Sequence, residues 1–233
     1  MRVCGTAKTV KGKFMEVNDC LLSRRSVRIF TDETVTDDCI RDIVNAGIHA
    51  PSACNFAAWK FILISPDTPD EIRTAMENKI AIDAPYGLLV TYRNDLYVSG
   101  RVFGDYIQSA AAAIENMLLY INSIGLGACW LCGIPREKVL RKAFGIPKNF
   151  SVIGYVAFGH PDKESIATPW QMAYHYGDET TFKKHNPRYS VEQVLCKDGF
   201  MKVPNDCTET NYPDAWHWYK RKIKALLKFK PFR

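Results

Sequence analysis

The clearest hydropathy pattern lies in "DYIQSAAAAIENMLLYINS", where Ile107, Ala110, Ala111, Ile114, Met117, Leu118 and Ile121 recur at helical spacing. This period predicts a long helix from Asp105 to Ser123, with Gly125 placed to end it. Alanines 110–113 keep its surface shallow, so another helix can approach closely. Such a helix belongs at the centre of the fold or at a subunit interface. Short apolar runs predict strands at "KFILIS", "GLLVTY", "GACWLCGI" and "VIGYVAFG". Helices are expected between them: "DCLLSR" capped by Asn18 or Asp19, "DCIRDIVNAGIHA" starting at Asp37 or Asp38 and stopped by Pro51, a stretch beginning near Pro69, and "REKVLRKAFG". A few strands mixed with longer helices make an α+β fold.

One domain is expected over residues 20–195, with an N-terminal extension at 1–19 and a C-terminal extension at 196–233. The aromatic-rich segment 162–187 is long for a structureless connection, and reads as a lid or as an arm around a partner.

Composition narrows the class. At 233 residues and 47% apolar, the chain has ordinary globular proportions. "MRVCGTAKTVKGKF" is basic, but no apolar core follows as in a secretory signal. The most apolar run, "YIQSAAAAIENMLLYI", is interrupted by Gln108, Glu115 and Asn116, which suits a buried helix and not a membrane span. A soluble, cytoplasmic protein is expected. Of eight cysteines only Cys129 and Cys132 form a C-x-x-C, without a second pair or a histidine cluster. They read as reduced thiols in a strand, and no metal site is expected.

Charge is unevenly placed. The tail "AWHWYKRKIKALLKFKPFR" holds seven basic residues and no acid, more than the whole net charge of +6. A helix there would put Trp216, Tyr219, Ile223, Leu226 and Leu227 on one face. Besides a disordered basic end, three readings stand for residues 215–233, in this order: packing on the protein itself, binding to an anionic membrane surface, and binding to nucleic acid. The near-neutral body argues against the last, so no nucleic-acid partner is expected.

A second concentration of charge, "LLSRRSVRIF", places Arg24, Arg25 and Arg28 around Ser26. Guanidinium forks make charge-assisted, often bidentate bonds to phosphate. Arginines at a helix end also sit well against its dipole. The residues of this one stretch do not choose between an anion site and a solvated helix end.

Taken in order, "RRSVRIF", "APSACNFAAW", the alanine-rich helix, "GLGACWLCGIP", "AFGIP", "VAFGHP" and "RYSVEQVL" resemble the FMN-dependent nitroreductase family. The resemblance implies a central mixed or antiparallel sheet flanked by helices, in an intertwined homodimer with two FMN sites lined by both subunits. It also implies roles. Arg24 and Ser26 would meet the phosphate and ribityl chain, helped by Arg25, and Arg28 would reach the pyrimidine edge of the ring. Pro51, Ser52, Ala53 and Asn55 would form a surface for the flavin of the other subunit. Asn78 would meet the pyrimidine, Leu131, Cys132 and Gly133 would bring backbone N–H groups to flavin N5 and O4, and Arg188 would complete the phosphate site.

The implied reaction is hydride transfer from NADH or NADPH through flavin N5 to a small acceptor such as a nitroaromatic or quinone. The flavin carries the redox chemistry, so no side chain is expected to be catalytic. The chain departs from the family where Ala57-Ala58 replaces Gln-Pro before the tryptophan. That departure and the long 162–187 segment keep open a specialised flavin enzyme on the same fold (dehydrogenase, dehalogenase or flavin-consuming), and the basic tail keeps open an FMN-binding accessory subunit docked through it.

Overall fold

The computed structural model describes residues 15–96 and 104–162, all within the first of two units into which the chain divides after Ala167. Most of the segment 1–19, the lid or arm beyond Asp162, Arg188 and the basic tail lie outside the described residues.

Four strands form one sheet: β1 (Trp59–Ile64), β2 (Tyr86–Arg93), β3 (Gly127–Leu131) and β4 (Phe150–Gly159), in the order β1-β2-β4-β3. Every neighbouring pair is antiparallel, so the sheet is the antiparallel alternative of the two expected. The α-helices among the described residues are α1 (Val17–Ser23), α2 (Asp37–Ile48), α3 (Asp70–Thr74), α4 (Lys79–Asp83), α5 (Asp105–Ser123) and α6 (Glu137–Phe144).

Strand periodicity explains why the sheet is covered on both faces. Leu88, Val90, Tyr92, Val156 and Phe158 join α2 and α5 in one core, while Leu89, Tyr155 and Ala157 join α4 and α6 in the other. The central strands therefore read as unbroken apolar runs. α5 buries Ala110, Ala113, Ile114, Met117, Leu118 and Ile121, but Ile107 faces outward. Gly125 ends the helix with φ 81°, and its N–H donates to the carbonyl of Asn122. The hydroxyl of Thr36 caps α2 by accepting from the Cys39 N–H, and Asp37 and Asp38 occupy its first turn, where acids suit the helix dipole.

The helical stretch expected near Pro69 is two short helices parted at Glu77, whose φ of 50° turns the chain. Asn78 then caps α4, its Oδ1 accepting from the N–H groups of Ile80 and Ala81. Arg73 staples this connection. Its guanidinium donates to the carbonyls of Ser65, Ile82, Ala84 and Pro85 at 2.9–3.3 Å. Among the described residues, no helix is long and apolar enough to cross a membrane.

Candidate functional site

Beyond α1 the chain lies along the free edge of β3. Ser26 bridges Ala128 in parallel, and the Val27 N–H donates to the Ala128 carbonyl at 2.9 Å. A Cβ on Gly127 would stand 2.8 Å from Val27 Cβ, so only glycine lets the two backbones approach this closely. The arginine cluster is thereby fixed against β3, around Cys129. Burial pushes the Cys129 thiol above its usual pKa, opposed first by the charge of Arg28, then by Ser26 and by Arg24. The thiol stays protonated and unreactive near neutral pH.

The three arginines do different things. Arg25 donates from Nη1 to the carbonyls of Leu22 and Arg24 at 2.8 and 2.9 Å, closing the end of α1. Arg24 pairs with Glu115 on α5 at 3.7 Å, with half of the carboxylate side exposed. Arg28 donates from Nη1 to the Ser26 carbonyl at 3.2 Å. Its Nε is buried and meets no acceptor among the described residues. An unmet buried donor on a charged group is costly and calls for a partner.

The far end of β3 offers donors of another kind. Leu131 is buried, Cys132 and Gly133 are exposed, and the N–H groups of Cys132, Gly133 and Ile134 meet no acceptor among the described residues. From Ala128 to Cys132 the strand rises about 13 Å. A cation site and a row of backbone donors thus stand at the two ends of one strand. Asn78 reaches this row: its Nδ2 donates to the Gly133 carbonyl at 2.7 Å.

The Pro51–Ala57 loop is anchored to the start of α5. The Ala53 N–H donates to Ser109 Oγ, which donates in turn to the Asp105 carbonyl, and Trp59 Nε1 donates to the Ser109 carbonyl. Ser52 Oγ accepts from the Ala57 N–H and closes the loop. Within it Cys54, Asn55 and Ala57 have φ of 46°, 56° and 47°. Asparagine tolerates this left-handed region, but cysteine and alanine adopt it only under strain, and such strain gathers where a loop must present a particular shape. Pro51 and Asn55 are exposed on it, with Ser52 and Ala53 half-buried. Sequence reasoning missed Ser109, Cys54 and Ala57 as determinants of this loop. No local signal marks them, because the first acts from a helix 56 positions away and the others through backbone conformation.

The pattern of the nitroreductase family matches residues 21–94 and 66–160. The chain belongs to the nitroreductase family. Among its relatives, an Archaeoglobus fulgidus protein with a provisional NADH dehydrogenase/NAD(P)H nitroreductase name is 31% identical over 161 residues, covering 64% of this chain and 88% of that one. A Bacillus subtilis FMN reductase (NADPH) is 26% identical over 235 residues, covering 90% of this nitroreductase-family chain and 93% of its own. A Desulfovibrio desulfuricans protein solved in complex with FMN superposes with a TM-score of 0.64 at 28% identity, covering 81% of this chain and all of that one.

Proposed function

We propose that the protein is an FMN-dependent NAD(P)H oxidoreductase acting on a small acceptor of the nitroaromatic or quinone class. The observation that carries this reading is the arrangement on β3: a half-buried arginine whose Nε meets no acceptor among the described residues at one end, and backbone donors that meet none among them at the other. A molecule with a phosphate at one end and a flat, acceptor-rich ring at the other fits that pair.

Bound FMN would supply hydride acceptance from NAD(P)H and its delivery to the acceptor. The chain's own residues do the holding. Arg24 and Ser26 serve the phosphate and ribityl chain, with Arg25 fixing the end of α1 beneath them. Arg28 gives a permanent positive charge beside the ring. The N–H groups after Leu131, those of Cys132 and Gly133, orient the ring edge. Arg188 completes the phosphate site in this reading. Gly133 supports the assignment independently. Its φ lies outside the left-handed range, and its nearest would-be Cβ neighbour is Asn78 Nδ2 at 3.9 Å. Neither backbone conformation nor crowding by described residues requires a glycine, whereas close approach by a ring does.

Pro51, Ser52, Ala53 and Asn55 are proposed to face the flavin of a second subunit in a homodimer. Exposed apolar side chains support an interface: Val17 is 74% and Leu22 61% exposed on α1, and Ile48, Phe56 and Ile107 are also outward. Sedimentation should give one species near twice the 26.5 kDa chain; a stable monomer retaining FMN would contradict the dimer. A cytoplasmic location accompanies the reading, in keeping with the free thiols of Cys20, Cys39, Cys54, Cys129 and Cys132.

The test is anaerobic mixing of FMN-loaded protein with NADH and with NADPH. Rapid loss of oxidised-flavin absorbance with at least one nucleotide, and its return on adding a quinone, is the expected result. Protein that takes up no FMN, or bound FMN that neither nucleotide reduces, would overturn the reading.

A further inference from the structure

We infer that Asn78 is a positioning residue that sets the direction of the Gly133–Ile134 peptide and thereby aims the Ile134 N–H, as a third backbone donor, at the ligand bound beyond β3. The inference rests on the FMN reading above. It assigns to Asn78 a role through the chain's own backbone, and to Ile134 a place in the binding row.

Its ground is the way the Asn78 side chain is used. Oδ1 accepts from Ile80 N–H at 3.0 Å and from Ala81 N–H at 3.3 Å, while Nδ2 donates to the Gly133 carbonyl at 2.7 Å. Two donors on one side and an acceptor on the other allow only one orientation of the amide. The side chain therefore links the first turn of α4 rigidly to a loop 55 positions away. Glu77, immediately before it, holds the left-handed φ of 50° that brings Asn78 into place. A non-glycine residue in that conformation is held there by its surroundings.

The consequence follows from peptide geometry. In a trans peptide the C=O and the next N–H lie in one plane and point in opposite directions. With the Gly133 carbonyl drawn toward α4, the Ile134 N–H points away from it. No described acceptor meets that N–H. Pro135, the next residue, has no N–H to offer. Fixing this peptide costs nothing when the ligand arrives, so the donor acts preorganised. A loop without the Asn78 link would leave the peptide able to rotate, and it would present either its carbonyl or its N–H to the ring.

Asn78→Asp separates this role from helix capping. Aspartate caps a helix start as well as asparagine does, so α4 keeps its cap. A carboxylate cannot donate to the Gly133 carbonyl and instead repels it. The inference expects N78D to keep its thermal midpoint within about 2 °C of wild type while FMN affinity falls roughly tenfold. It also expects the visible spectrum and the midpoint potential of bound flavin to shift. Asn78→Ser, which keeps the cap but is too short to reach Gly133, should lose affinity similarly without adding charge. A purely capping role predicts wild-type affinity, spectrum and potential for both variants, and that result would overturn the inference alone. Failure of the wild-type protein itself to bind FMN would overturn the functional reading and this inference with it.

Discussion

FMN retention should fall roughly 10- to 150-fold when Arg28 is replaced by alanine, because hydrogen bonds to a charged group are each worth about 1.5–3 kcal/mol. Arg28 stands out among the three arginines because it alone among them has a buried nitrogen without an acceptor among the described residues. Arg25→Ala is the internal control. Its guanidinium is engaged with the carbonyls closing α1, so its loss should change retention no more than about threefold. Arg28→Lys should fall between, since lysine restores the charge without the planar fork. Fluorescence titration of the apoprotein with FMN measures all three. Equal retention by R28A and wild type would remove Arg28 from the site. A larger loss in R25A than in R28A would show that the local geometry has been misassigned.

Arg73→Met should cost about 2–4 kcal/mol of stability, a drop of roughly 5–15 °C in thermal midpoint for a domain of this size. Methionine preserves much of the volume, so the loss reports hydrogen bonding and not a cavity. The guanidinium gathers four carbonyls from the end of β1 and from the end of α4 leading into β2. Without it those carbonyls lose a charged donor in a half-buried setting. Among the described residues no carboxylate lies within ion-pair distance of Arg73, so the effect should depend little on salt. Because the same staple holds α4, whose cap is Asn78, the variant should also bind FMN more weakly. Calorimetry of the FMN-free protein checks the stability term separately, and an unchanged midpoint there would show that the carbonyls are satisfied some other way.

The sequence by itself determined much of the architecture. Helical spacing of Ala110, Ile114, Met117, Leu118 and Ile121 sufficed for α5, and the runs beginning at Lys60, Gly87 and Val152 marked β1, β2 and β4 to within two residues, while the run from Gly127 overran β3 by three, with Cys132 exposed beyond the strand. Local period is strong there because each element buries a face along its whole length. Motif order was enough for the family, which the match over residues 21–160 establishes.

Other features were decided only by the tertiary structure. Three neighbouring arginines look alike in a string of letters; the fold closes a helix with Arg25, pairs Arg24 with Glu115 on another helix, and leaves the Nε of Arg28 without an acceptor among the described residues. The break at Glu77 and the left-handed run at Cys54, Asn55 and Ala57 carry none of the glycines that announce such turns, because distant anchors impose them: Ser109 holds the loop, and Asn78 and Arg73 hold the connection. The Asn78–Gly133 bond joins residues 55 positions apart. Contacts of that range depend on how elements pack, and local spacing contains no trace of them.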